Sequence, residues 1–285
     1  MIRAGCVGGK PVLESSVRGI AIYLDTFAIK SLARGDASLR QRFIAALYDG
    51  ADLLFSIANA AEVSGAQGRS CQAIRALLDD LGPNWYPIEM VPQIVMQREA
   101  EGLPSSKCCV ADELLRAFFS NRTCENLPGS GKVIDLSEGF FRLGAFVDWL
   151  TPQRDEHLRR SRELDRVLIE KIPLLRAKHK QNPGWLESAM PQVQFDAARP
   201  ATFTFVGLMR DLICDAGYQM KKGDGIDFCH AVMATAFSTI ATLDKQWKRR
   251  VLSLPNLNRI PHIYYEPELG AMIDAVEAGL AELKR

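Results

Sequence analysis

Residues 20–26 read IAIYLDT, an apolar run that ends in an acidic residue, Asp25. Residues 20–24 are mostly β-branched or aromatic, which predicts a short buried strand, and apolar residues at helical spacing follow. Asp25 is therefore predicted to lie at the junction of a strand and a helix. Open parallel sheets place their ligand sites at the carboxyl ends of strands, so Asp25 is a candidate site residue. The alternative role for this side chain is a helix N-cap.

The sequence after this junction alternates between strand and helix patterns. Residues 38–48 predict an amphipathic helix, and residues 53–57 predict a second strand. A further helix is predicted over 71–81, and 85–88 predicts a third strand, which Pro87 places near a sheet edge or at a strand end. This order is typical of an α/β protein with a central, mostly parallel sheet.

The alternation stops near residue 90 and returns near residue 220. Between these points the pattern is helical, over 112–119, 140–150, 154–180 and 203–216. The later segments predict a helix over 226–237, a strand over 239–243, a helix from 245, a strand over 260–265 and a helix over 268–284. We therefore predict an N-terminal extension over 1–18, an α/β core of 19–90 and 220–285, and a mainly helical insertion over 91–219.

The composition limits the classes of function. The 285 residues are 47% hydrophobic, which is enough for a core, and 35 Lys+Arg nearly balance 34 Asp+Glu. A polyanion would therefore need a local basic patch rather than a global field. The seven cysteines lack zinc-site spacing, and neither a signal peptide nor a membrane-spanning segment is recognisable. We expect a cytoplasmic protein that has no membrane partner.

Three other acidic residues are placed much as Asp25 is. Glu62 is predicted in the first turn of a helix, where Asn59 and Glu62 have the spacing of a capping box. Asp227 begins a helix of small and apolar residues, and Asp244 ends a predicted strand. Carboxylates that converge from distant segments are the ligands that hard divalent cations prefer. We expect Asp25 and Asp244 to carry the stronger signal, because helix capping offers an explanation for the other two.

The acidic residues lie in motifs that resemble those of PIN-domain nucleases. The first is a strand that ends in Asp followed by Thr, and the second is a helix-borne Glu with a small polar residue three positions before it. The others are a D-x-x-H-A pattern and a T-x-D-x-x-aromatic pattern. The resemblance covers residues 19–90 and 220–285 and leaves the insertion unassigned. In this chain the motifs are Leu24-Asp25-Thr26, Asn59 to Glu62, Asp227 to Ala231, and Thr242 to Trp247.

The resemblance implies a three-layer PIN-like fold and a metal-dependent endoribonuclease, a hydrolase that cleaves the phosphodiester bonds of RNA. The acids of such a site bind Mg²⁺ or Mn²⁺, which lowers the pKa of the attacking water and offsets charge on the phosphoryl oxygens. This catalytic and metal-binding role carries over to Asp25, Glu62, Asp227 and Asp244, with Asp224 as a fifth candidate ligand.

Basic residues that follow Asp244 are candidates for binding the RNA backbone. Lys245, Lys248 and Arg249 lie on the next predicted helix, and cations beside a metal site suit contacts to phosphate. The alternative is a solvated surface helix. Thr26 is a further candidate, because its hydroxyl can orient a ligand or a phosphate.

Two features favour structural roles over functional ones. The charged stretch 154–180 is interpreted first as an amphipathic helix with a solvated face, and only second as an RNA clamp or partner helix. Pro173 is expected to kink or break it. His230 lies one helical turn from Asp227, and a structural histidine is the favoured interpretation there.

A second hypothesis keeps the fold without the chemistry. It is a catalytically inactive PIN scaffold that binds RNA or a protein partner through the insertion. Retention of all four acids favours the enzyme. Small PIN proteins are often toxins of toxin–antitoxin pairs, so a toxin role with an antitoxin partner is a further hypothesis, which the long insertion weakens. The apolar helices of the insertion also offer an interface for a homodimer.

Overall fold

The computed structural model describes residues 2–7, 10–15, 17–111, 134–135, 142–255 and 260–285. Only the backbone is described for the segments 2–7, 10–15 and 134–135. The predicted helix over 112–119 and the first two residues of the helix predicted over 140–150 lie outside the described residues.

Strands and helices alternate at both ends of the chain, and helices dominate between them. The described strands are β1 (Ile2–Val7), β2 (Lys10–Ser15), β3 (Ala21–Tyr23), β4 (Asp52–Ser56), β5 (Trp85–Ile88), β6 (Ile134–Asp135), β7 (Ile240–Thr242) and β8 (His262–Tyr264). The described helices are α1 (Thr26–Arg34), α2 (Ala37–Tyr48), α3 (Ile57–Val63), α4 (Gly68–Leu81), α5 (Pro92–Ala100), α6 (Ser105–Cys108), α7 (Leu143–Leu150), α8 (Arg154–Gln181), α9 (Gly184–Ala189), α10 (Pro200–Cys214), α11 (Asp224–Phe237), α12 (Lys245–Leu252) and α13 (Leu269–Leu283).

A five-stranded parallel sheet with the order β5-β4-β3-β7-β8 forms the centre of the fold. In its middle strand, Ile22 pairs with Leu53 on one side and Ile240 on the other. All strands of this sheet except β8 are buried along their whole length. Strands buried on both faces carry apolar runs instead of an alternating pattern, which is why the sequence predicts these strands well.

Helices flank the sheet and bury one continuous core. Helix α1 contacts α2 and α4, and α2 contacts the C-terminal helix α13. A second group contains α3, α8, α10 and α11, in which α8 contacts the other three. The largest fully buried side chains include Trp85, Trp247 and Tyr23. The predicted α/β class with a central parallel sheet is therefore confirmed, and β5 is an edge strand as Pro87 suggested.

The N-terminal extension forms a hairpin that the sequence pattern does not reveal. Strands β1 and β2 pair in antiparallel fashion from Ile2 opposite Ser15 to Val7 opposite Lys10. The short strand β6 pairs with β1 and completes a separate three-stranded sheet. Strand β6 belongs to the insertion, so its pairing with β1 joins the N-terminal extension to a segment far away in sequence.

The insertion is mainly helical in its described parts, and it packs directly on the core. Helix α8 runs from Arg154 to Gln181 as one helix of 28 residues, so Pro173 does not break it. It contacts α3, which carries Glu62, and α11, which carries Asp224 and Asp227, and α10 also packs on α11. The insertion therefore covers the side of the core that carries the site.

In the described segments, no helix combines the length and the apolar character that crossing a bilayer requires.

Candidate active site

A cavity of about 490 Å³ lies where strands β3 and β7 end, and all four predicted acids line it. Its volume falls in the usual range for ligand sites. A larger cavity of about 600 Å³ shares Phe27 and Lys30 with it but contains none of the four acids. We assign the site to the smaller cavity, because interacting ionisable groups mark functional sites better than size does. This smaller cavity is called the carboxylate cavity below. Its lining consists of Asp25, Thr26, Phe27, Lys30, Glu62, Arg154, Leu158, Asp227, His230, Leu243, Asp244 and Trp247.

Asp25 and Asp244 are both helix N-caps as well as cavity residues. The Asp25 Oδ1 atom accepts a hydrogen bond from the Ala28 backbone N–H at 3.0 Å. The Asp244 Oδ1 atom accepts one from the Trp247 N–H at 2.7 Å. The Asp25 N–H in turn donates to the Thr242 hydroxyl at 3.0 Å, which ties the ends of β3 and β7 together. Both strand-end acids therefore act as helix N-caps. The sequence predicts this role as an alternative for Asp25 but not for Asp244.

Glu62 lies in the last turn of α3, so the prediction that it lies in the first turn of a helix is wrong. The capping box is formed by Ser56 and Asn59: the Ser56 N–H donates to Asn59 Oδ1 at 3.0 Å, and the Asn59 N–H donates to Ser56 Oγ at 3.2 Å. Asn59 Nδ2 also donates to the Leu24 carbonyl at 3.2 Å, which fixes α3 beside the end of β3. Capping therefore does not explain Glu62, whose Oε2 instead accepts a hydrogen bond from the Thr26 hydroxyl.

Asp227 and Asp224 both lie in the first turn of α11, but only Asp227 lines the cavity. The Asp224 Oδ2 atom accepts hydrogen bonds from the Tyr218 hydroxyl, at 2.7 Å, and from the Lys221 N–H. The structure thus separates the fifth predicted ligand from the other four. The N-cap of α11 is Gly223, with φ of 102°, and no side chain of the helix itself caps it.

Asp165 of α8 supplies the missing cap for α11. Its carboxylate accepts hydrogen bonds from the Gly223 N–H at 3.0 Å and from the Gly225 N–H at 2.9 Å, and the residue is only 6% exposed. A Cβ atom on Gly225 would lie 2.5 Å from the Asp165 Cα, so the close approach requires glycine. Sequence reasoning missed Asp165, because no local pattern links it to residues 58 positions away.

The four carboxylates interact electrostatically. The pKa of Asp25 is raised from 3.8 to about 8, chiefly by burial and also by the negative charges of Asp227, Asp244 and Glu62, while the hydrogen bond from the Ala28 N–H lowers it. Burial likewise raises the pKa of Asp227 from 3.8 to about 7, with contributions from the charges of Asp244 and Glu62. Ionisation of this cluster is therefore costly unless a cation accompanies it.

His230 has a structural partner, in line with the prediction. Its Nδ1 atom contacts the hydroxyl of Tyr23, and both side chains are buried. Burial lowers the pKa of His230, and burial followed by the charges of Glu62 and Asp25 raises the pKa of Tyr23. Both groups are therefore neutral near pH 7.

The cations that line the cavity are not those that the sequence singled out. Lys245 and Arg249 are exposed on α12 and do not line it, and Lys248 forms an ion pair with Glu268 at 2.5 Å. The lining cations are instead Lys30 of α1 and Arg154 of α8. Sequence reasoning assigned Arg154 only to a charged helix, in which it looks like every other arginine. Thr26 does line the cavity.

The donor set suits a hard divalent cation in its chemistry. Four carboxylates line one cavity, and the Oδ2 atoms of Asp25 and Asp244 are not used in their caps. Among the residues that the structure describes, however, no group of three or more His, Cys, Asp and Glu side chains is positioned to hold a metal ion. The four carboxylates nevertheless share one cavity and act on one another's charge, and small rotations of carboxylate side chains change ligand distances without moving the backbone.

No protein-family model, curated protein or solved structure matches this chain.

Proposed function

We propose that this chain is a metal-dependent endoribonuclease with a three-layer PIN-like fold, which hydrolyses phosphodiester bonds of RNA at the carboxylate cavity. One observation carries the proposal: Asp25, Glu62, Asp227 and Asp244 come from four separate segments and line a single cavity. The parallel sheet with flanking helices supports it, because open α/β sheets place ligand sites at the carboxyl ends of their strands.

The four carboxylates would hold Mg²⁺ or Mn²⁺. When bound, such an ion lowers the pKa of a water molecule and offsets charge on the phosphoryl oxygens. The protein supplies the negative ligands and fixes two of them through helix caps. Apolar side chains of Leu158, Leu243 and Trp247 complete the lining and limit competing water. The raised pKa values of Asp25 and Asp227 are what a site built to be neutralised by a cation is expected to show.

A second function, RNA or protein binding by a PIN scaffold without cleavage, is favoured by one observation. This is the lack, within the described residues, of three acidic, histidine or cysteine side chains in position to hold a metal. A toxin role, an antitoxin partner and a homodimer stay predictions from the sequence.

An RNA cleavage assay with Mn²⁺ separates the two functions. We expect the wild type to cleave single-stranded RNA and Asp25→Asn and Asp227→Asn to lose at least about 100-fold in rate, because each removes a ligand of the metal. Asp196→Asn is the matched control, since Asp196 also accepts a hydrogen bond from a backbone N–H, that of Ala198 at 2.8 Å, but lines neither cavity. Equal rates in all four proteins would refute the assignment, and RNA binding without cleavage by the wild type would support the scaffold.

A further inference from the structure

Two cationic side chains line the carboxylate cavity, and they come from different parts of the chain. Lys30 lies in the second turn of α1, which belongs to the core, and Arg154 is the first residue of α8, which belongs to the insertion. Considering the described residues alone, neither forms an ion pair with any of the four site carboxylates. Their charges are therefore available to another anion that enters the cavity.

The Arg154 side chain is held in place by the core. Its Nε atom donates to the Ala61 carbonyl at 3.1 Å, one residue before Glu62. The guanidinium also lies against Gly65, where a Cβ atom would collide with Nη2. One ion pair, at 3.4 Å, joins Nη1 to Asp155, whose side chain is 95% exposed. Such exposed ion pairs contribute little to stability. The fixed guanidinium is thus pre-organised for a ligand.

We propose that Lys30 and Arg154 bind the phosphate group on which the carboxylates act, a phosphodiester of single-stranded RNA; this rests on the proposed nuclease function. Four carboxylates alone would repel that phosphate, and the two cations offset the repulsion. The planar guanidinium matches phosphate oxygens in pairs, and the lysine acts as a compact charge.

The larger cavity next to the carboxylate cavity favours single-stranded over double-stranded RNA as the proposed substrate. Phe27 and Lys30 belong to the walls of both cavities. An unpaired base next to the bound phosphate can stack on the Phe27 ring, which is how proteins commonly hold single-stranded nucleic acid. The substrate strand would then continue from the carboxylate cavity past Lys30 into the neighbouring one.

RNA binding tests the proposal with matched variants. We expect Lys30→Met and Arg154→Gln each to weaken binding about tenfold, the equivalent of one lost charge-assisted hydrogen bond. Each should also reduce the slope of log affinity against log salt by about 0.7, the value for one phosphate contact on a single strand. Arg154→Lys should recover part of the affinity, since it keeps the charge but loses the Nε bond to Ala61.

The controls are Arg160→Gln and Lys284→Met. Arg160 lies on the same helix as Arg154 but pairs with Glu156, and Lys284, which follows α13, pairs with Asp49 and lines neither cavity. Both variants should bind as the wild type does. The readout is fluorescence anisotropy of fluorescein-labelled single-stranded RNA with Ca²⁺ as the divalent cation, after circular dichroism has verified folding of each variant.

The outcomes distinguish this proposal from the nuclease assignment. Unchanged affinity in folded Lys30→Met and Arg154→Gln, equal losses in the controls, or no RNA binding by the wild type would overturn it. A wild type that binds RNA through these two residues without cleaving it would overturn only the nuclease assignment. Mn²⁺ affinity, measured by calorimetry, should not fall in either variant, because neither residue is a metal ligand.

Discussion

Asp25 has a structural and a proposed functional role in one side chain. Its carboxylate caps α1 through the Ala28 N–H, and it also lines the carboxylate cavity. An ordinary N-cap aspartate stabilises its helix, whereas a buried carboxylate beside other carboxylates destabilises the fold when it ionises. Asparagine can serve as the cap without the charge. The two roles can therefore be separated by one substitution.

We predict that Asp25→Asn raises the stability of the metal-free protein. The folded-state pKa of Asp25 is raised from 3.8 to about 8, so its contribution to stability is fully present below the lower value and is lost as pH rises through the upper one. The variant should exceed the wild type in free energy of unfolding by roughly 1–3 kcal/mol near pH 8 and by little near pH 4. Urea unfolding in the presence of EDTA measures this difference.

Asp36→Asn provides the comparison, because Asp36 is the N-cap of α2. Asp36 accepts a hydrogen bond from the Ser38 N–H at 2.7 Å and is exposed, so its replacement should change stability by about 0.5 kcal/mol or less at either pH. A loss of stability in Asp25→Asn near pH 8 would mean that Asp25 behaves as an ordinary cap.

Binding of Mn²⁺ should strengthen as pH rises from about 6 to about 8. The pKa of Asp227 is raised to about 7 and that of Asp25 to about 8, so both must release protons before they can bind a cation. Calorimetry in two buffers with different ionisation enthalpies reports the number of protons released. An affinity that does not change over this pH range, with no proton release, would contradict the proposed ligands.

Helix α8 positions the helix that carries Asp227. The buried Asp165 carboxylate accepts hydrogen bonds from Gly223 and Gly225 at the start of α11, and its charge also raises the pKa of Asp227. The insertion therefore supports the site through a cap supplied from another element, in addition to the cation Arg154.

We predict that Asp165→Ala lowers the free energy of unfolding by roughly 2–3 kcal/mol, because it leaves buried N–H groups of α11 without an acceptor. Asp165→Asn keeps one acceptor oxygen and should cost about half as much. Asp155→Ala, on the same helix with a 95% exposed side chain, should cost about 0.5 kcal/mol or less. Urea titration of the three variants measures these values, and equal costs for Asp165→Ala and Asp155→Ala would refute the capping role.

Local sequence predicts the elements better than the contacts between them. The sequence pattern predicts the core strands within two residues of their observed bounds, because buried parallel strands carry short apolar runs. Sequence spacing predicts a capping box of Asn59 and Glu62, whereas in the structure Ser56, which ends β4, forms it with Asn59. Both choices have acceptable spacing in sequence, and only the position of the strand end decides between them.

The contacts that complete the cavity depend on the whole chain. Strand pattern predicts that Asp25 and Asp244 converge, because the carboxyl ends of parallel strands share one edge of the sheet, and the PIN resemblance adds Glu62 and Asp227 to the set. Arg154 was not expected there, since its sequence surroundings match those of the exposed Arg159 and Arg160 on the same helix. The pairing of β6 with β1 is likewise set by tertiary contact rather than by a local pattern.

The stability of the whole molecule should respond to Mn²⁺. An ion that binds only the folded chain, present at about 100 times its dissociation constant, adds about 2.7 kcal/mol of stability. For a chain of this size we expect the melting temperature to rise by about 5 °C. Asp25→Asn and Asp227→Asn should show no such rise in differential scanning calorimetry, and a similar rise in these variants would place the ion elsewhere.

The central claim is that the four carboxylates hold a divalent cation together. Anomalous diffraction from a crystal soaked in MnCl₂ tests it most directly. We predict an anomalous peak in the cavity, within coordination distance of carboxylate oxygens from at least three of Asp25, Glu62, Asp227 and Asp244. A well-diffracting soaked crystal with no peak in that cavity would contradict the claim.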